Sequence, residues 1–198
     1  MQGMARKQNG SKRERLVGLL AQARHYAEWN LRNHGQIPPC AMALNKDGIM
    51  MMVPPRMGTV QDKDQFADAA RMLAVGYGAE AVCMILESWA VFGSRPGQNI
   101  ADIPPSQSAE RVEVEVEVVS AEIKGIAAQQ IFTIKRDAAG LFVELEEKLT
   151  PKFDEMQGRF ARILPPKEPT ENQAKMASFV VAGLGYVVEG KGKNPIWN

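Results

Sequence analysis

The sequence predicts an α+β fold with a mixed, largely antiparallel sheet, and three observations carry that expectation. Leu16, Leu19, Leu20, Ala23, Ala27 and Leu31 recur every three or four residues, the period of one helical face. Two short apolar runs flank Asn45-Lys46-Asp47-Gly48, the signature of a β-hairpin. Val112, Val114, Val116 and Val118 alternate strictly with Glu113, Glu115 and Glu117, a period of two that belongs to a half-buried strand.

Taken in order, residues 1–10 are polar and basic and read as a flexible N-terminus. Ser11 with Glu14 forms a capping-box pattern and opens the leading helix. Gly35 offers the left-handed exit, and Pro38-Pro39 forbids continuation. The hairpin spans 40–44 and 49–53 and ends at Pro54-Pro55. Asp62 and Gln65 then cap a second helix with Phe66, Ala69, Ala70, Leu73 and Tyr77 on its inner face and Gly78 at its end. Residues 79–92 follow as a buried central strand, since Val82, Cys83, Met84, Ile85 and Leu86 are continuously apolar. Residues 93–108 hold Pro96, Gly97, Pro104 and Pro105 and read as a long loop.

A three-stranded antiparallel meander fills 111–146, with tight connections at Lys124-Gly125 and Ala139-Gly140. One register keeps its apolar residues on a single face. It sets Val114 opposite Phe132 and Val112 opposite Ile134, then Ile134 opposite Val143 and Phe132 opposite Leu145. The helices are expected to cover that one face. Beyond it, 150–163 suggests a short helix, and Pro165, Pro166 and Pro169 make a linker. Thr170 and Gln173 cap a last helix with Met176, Phe179 and Val180 inward, and a Gly-rich tail ends near Trp197. The expected organisation is thus one α+β domain over 11–164 with a Pro-linked appendage at 165–198.

With 198 residues, 24 Lys+Arg against 23 Asp+Glu and an ordinary apolar fraction, the chain is globular. A net charge of +1 argues against general nucleic-acid binding, and no stretch has the length of a membrane span. Two cysteines, Cys40 and Cys83, fit a reducing, cytoplasmic setting. His25 and His34 lie nine residues apart on one helix and project from opposite sides, so no metal site or cofactor is expected from them. Gly183-Leu184-Gly185 follows a helix rather than opening one, which excludes a dinucleotide loop.

Glu87 is the sharpest candidate for chemistry. It interrupts the apolar strand on the face of Cys83, Ile85 and Trp89 and needs a partner if buried. Arg56, Arg95 and Arg111 are the guanidinium candidates. An acid–base, hydrolase-like site would centre on Glu87, with Arg95 or Arg111 anchoring an anionic substrate and Trp89 as an apolar platform. The bland alternative is an ion pair at a strand end. Glu113, Glu115 and Glu117 are expected to share a face with Glu144 and Glu146, and their repulsion calls for a nearby cation such as Lys135. Glu115 and Glu146 then stand too far apart for a calcium site, roughly 9–10 Å between backbones. Trp29 projects from the side of the first helix away from Leu16 and Leu20, a candidate contact residue. Five methionines between Met42 and Met57 read as core filler.

A Glu-Ser-Trp ending an apolar strand at 87–89, a Pro-Pro-Ser loop at 104–106 and an Arg-x-Glu opening at 111–113 resemble small uncharacterised α+β proteins of bacterial or phage origin. The resemblance spans about the middle half of the chain and implies a fold but no activity. The favoured functional expectation is a non-enzymatic accessory or binding protein that acts through protein contacts, with a partner or with itself. The Glu87-centred enzyme is the alternative.

Overall fold

In a computed structural model, residues 2–89, 115–123, 126–153 and 159–190 are described. Helix α1 (Gln2–His34) is followed by the hairpin strands β1 (Cys40–Asn45) and β2 (Gly48–Val53). Then come α2 (Val60–Tyr77), β3 (Ala81–Trp89), β4 (Glu115–Ile123), β5 (Ile126–Arg136) and β6 (Phe142–Phe153), and finally α3 (Glu171–Gly183) and β7 (Val187–Glu189). The seven strands form one sheet in the order β6-β5-β4-β3-β1-β2-β7, and every described pairing is antiparallel. The α+β class is as the sequence predicts; no parallel pair among the described residues makes the sheet mixed.

The hairpin closes where Asp47-Gly48 places it. Asn45 pairs with Gly48, the Asn45 side chain accepts from the Asp47 N–H, and Gly48 has φ 131°. That conformation suits a residue without a Cβ. Strand β3 sits in the middle of the sheet between β1 and β4.

The helices occupy both faces of the sheet, not one. Cys40 and Met42 of β1 and Ala81, Cys83 and Ile85 of β3 pack with the Leu16–Leu31 stripe of α1. The alternate residues Ala41, Ala43, Val82 and Met84 pack with Phe66, Ala69, Ala70 and Leu73 of α2. Strands apolar on both faces require cover on both faces. The methionines divide in the same way, Met42 and Met51 towards α1 and Met52 towards α2.

Several boundaries differ from expectation for identifiable reasons. Helix α1 begins at Gln2, so Ser11 is mid-helix and opens nothing. Met4, Ala5, Arg6, Lys7 and Gln8 are good helix formers, and Gly10 costs only about 1 kcal/mol. Helix α2 starts earlier, at a Thr59 cap whose reciprocal partner is Asp62. Its C-terminal Gly78 is left-handed as expected, φ 61°. No helix forms at the start of 150–163, because β6 runs on to Phe153 through Pro151. Proline is tolerated there because β6 ends the described sheet and the ladder is irregular between the Gln129–Lys152 and Ile131–Leu149 pairs.

The meander is present with another register. Ile123 pairs with Ile126, leaving two residues between the strands, and this connection sets Glu117 opposite Phe132 and Val116 opposite Thr133. The shift from the expected register is odd, so β4 presents the opposite residues to each face. The β5–β6 shift is even: Ile134 meets Leu145 instead of Val143, and Phe132 meets Glu147 instead of Leu145. Ile134 and Leu145 are buried under α1, while Val143 is exposed. The expected positions Val112, Val114 and Glu113, the loop 93–108, and Trp197 lie outside the described residues.

The C-terminal segment beyond 165 is built onto the sheet. Val181 of α3 joins the α2-side core, and β7 pairs with β2 through Met51–Glu189, Met52–Val188 and Val53–Val187.

Candidate functional site

The corner formed by α2, α3, β2 and β7 is where the apolar surface concentrates. Helix α2 is set by its N-terminal box: the Asp62 N–H donates to the Thr59 hydroxyl at 3.0 Å, and the Thr59 N–H donates to the Asp62 carboxylate at 2.8 Å. The bonds from Thr59, backbone first, hold the Asp62 carboxyl below the usual range, and Arg56 adds to the effect from 3.0 Å. Helix α3 repeats the device with Thr170 and Gln173.

The two helices approach closely at Gly76. A Cβ there would lie 2.5 Å from Ser178 Oγ and 2.8 Å from the Ser178 backbone nitrogen, and the Ser178 hydroxyl donates to the Gly76 carbonyl at 3.2 Å. Small residues thus form the α3 seam, with Ala177 and Val181 buried. The expected inward face is therefore reversed. Met176 is 71% exposed and Phe179 81%, and Val180 and Leu184 are also exposed. The hydropathy period locates a helix but does not say which of two apolar edges packs; Gly76 opposite Ser178 decides it. That close pair is the signal in the sequence that pattern reading missed.

Below this seam lies a cleft of about 310 Å³, lined by Met50, Leu73, Tyr77 and Tyr186 together with Met72 and Ala182. Burial raises the pKa of both tyrosines. Nearby Asp47 adds to the rise at Tyr77, and Asp62 adds to that at Tyr186. The Tyr77 hydroxyl is buried and has no hydrogen-bond partner among the described residues. Tyr186 stacks on Phe66 at 6.4 Å between centroids, 24° from parallel.

Of the residues singled out from sequence, Glu87, Trp89, Trp29 and Glu115 are described and none of them lines this corner. Glu87 is half-buried, and its carboxylate accepts the Ile37 N–H at 2.7 Å, fixing the chain that leads into β1. Of its candidate partners, Arg56 is committed to Asp62, and Arg95 and Arg111 lie outside the described residues. Trp89 is in register with Glu115, and Glu87 with Glu117, at the far end of the β3–β4 pair. Trp29 is half-buried, its ring edge-on to His34 at 5.2 Å.

The expected five-carboxylate strip is divided by the odd register shift. Glu144 and Glu146 lie opposite Lys135 and Thr133, whereas Glu117 lies opposite Phe132. Ile131, between them, pairs with Val118 and Leu149. The expected cation is in place: Lys135 reaches Glu146 at 2.8 Å, as does Lys148. Those two hydrogen-bonded ammonium groups bring the Glu146 carboxyl down to about 2. No cluster of three metal-ligating side chains occurs among the described residues, and none of their helices is long and apolar enough to cross a membrane. A scan against protein-family models, a search of curated proteins and a search of solved structures each found no match, so the molecule is placed by its own geometry.

Proposed function

We propose that the protein is a non-enzymatic binding module that acts through protein contacts, and that its first contact is with a second copy of itself through α3. The observation that carries this is the outward apolar face of α3, where Phe179 and Met176 are more exposed than any other large apolar residue described. Contiguous exposed apolar surface of this kind marks interaction sites.

A second copy suits the face better than a charged partner. The net charge of +1 sets up little repulsion between copies. An antiparallel two-fold placed between Phe179 and Val180 sets each bulky residue against a smaller one: Met176 against the partner's Gly183, and Phe179 against the partner's Val180. Glu171 and Lys175 pair within their own helix at 2.6 Å and stay at the rim. One helical face is small beside a standard interface, so the dimer is expected to be weak, on the order of micromolar.

Sedimentation equilibrium over a concentration series checks this. Wild type should show a monomer–dimer equilibrium, and Phe179→Asp should be a monomer with an unchanged circular dichroism spectrum. Trp29→Ala should associate like wild type. A wild-type chain that stays monomeric at hundreds of micromolar overturns the proposal, as does a Phe179→Asp variant that still dimerises.

A further inference from the structure

We infer that the cleft between α2, α3, β2 and β7 is a binding site for a neutral aromatic small molecule of about two fused rings. The site is separate from the outward face of α3, since Ser178, Val181 and Ala182 line it while Met176, Phe179 and Val180 do not. Three properties of the wall define the ligand.

The first is size. A dry apolar cavity of about 150 Å³ holds one benzene ring, and the cleft measures about 310 Å³. The second is surface chemistry. Met50 and Met72 present thioethers, and Tyr77 and Tyr186 present ring faces and edges, a combination that favours aromatic over aliphatic guests. The third is charge. Among the described residues, no ionisable group other than the two tyrosines lines the cleft, and burial keeps both tyrosines protonated. An anionic guest would lose its hydration with nothing to replace it, and Asp47, near enough to raise the Tyr77 pKa, would repel it.

The Tyr77 hydroxyl is buried, with no hydrogen-bond partner among the described residues, so it presents no accessible donor to a guest in the cleft. The favoured ligand is therefore an apolar bicycle held by its ring faces.

The test follows the ε-methyl resonances of Met50 and Met72 in the full chain while naphthalene, its saturated counterpart decalin, or 2-naphthoate is added. Naphthalene should give saturable shifts, decalin should bind several-fold more weakly, and 2-naphthoate should not bind. Ala182→Trp, which fills the cleft from its exposed rim, should abolish naphthalene binding, with circular dichroism confirming the fold. Phe179→Asp should bind naphthalene like wild type, which separates this site from the self-association surface. Methyl shifts that never saturate, decalin or naphthoate binding as tight as naphthalene, or an Ala182→Trp variant that still binds would overturn the assignment.

Discussion

Helices α2 and α3 begin alike and end up facing opposite ways. Each opens on a threonine whose hydroxyl caps the third helical residue and receives that residue's side chain in return. Yet α2 hides its largest apolar residues, Phe66 and Leu73, while α3 hides Ala177 and Val181 and shows Met176 and Phe179. Local capping fixes where a helix starts; its orientation is settled by which edge can come closest to the neighbour. For α2 the neighbour is a sheet, which rewards bulk. For α3 it is another helix, which at Gly76 leaves room only for small groups.

The contrast can be broken most strongly at the phenylalanines. Phe66→Ala should destabilise the fold by about 3–5 kcal/mol in guanidinium unfolding, the usual range for a fully buried phenylalanine. Phe179→Ala should change stability by no more than about 0.5 kcal/mol in the monomer, as surface substitutions do. Comparable losses at the two sites would mean that α3 packs the other way round.

Next in size is the helix seam. Gly76→Val should cost about 1–3 kcal/mol through overpacking and should raise hydrogen–deuterium uptake in α3 while leaving α1 unchanged. Adding Ser178→Gly should not restore the loss, because the Ser178 backbone nitrogen crowds the new Cβ as well as the hydroxyl does. Full rescue would show that the side chain alone sets the spacing.

The smallest effect compares the caps. Thr59→Ala should lower stability by about 1 kcal/mol, because its box also joins Asp62 to Arg56. Thr170→Ala, on a more exposed helix, should lose about half as much. Chemical denaturation midpoints at constant slope measure both.

Parts of this molecule are written locally and parts are not. The α1 stripe, the hairpin, the Gly78 stop and the burial of β3 on both faces could be read because single residues or short periods dictate them. The meander register was also in the text, at its turn. A connection of two residues pairs Ile123 with Ile126, and that pairing closes off the register in which valines oppose aromatics. The length of a connection outranks the number of apolar partners a register could make. Glu87 was legible as a residue in need of a partner, but the Ile37 N–H as one of its partners was not, since no side-chain pattern advertises a backbone donor 50 residues away. The apolar corner was hidden for a related reason: it arises from the packing of two helices far apart in sequence.

The central position of β3 has a consequence for how the molecule opens. Its Val82–Ile85 segment is bonded on one side to the hairpin and on the other to β4, with one helix above and another below. No fraying edge or single detached helix frees those amides. They should exchange with solvent only through global unfolding, while β7, joined by three pairs, opens at little cost. A graded clock therefore runs across the sheet from β7 to β3, and the apolar corner sits at its fast end, where the chain can loosen without losing its core.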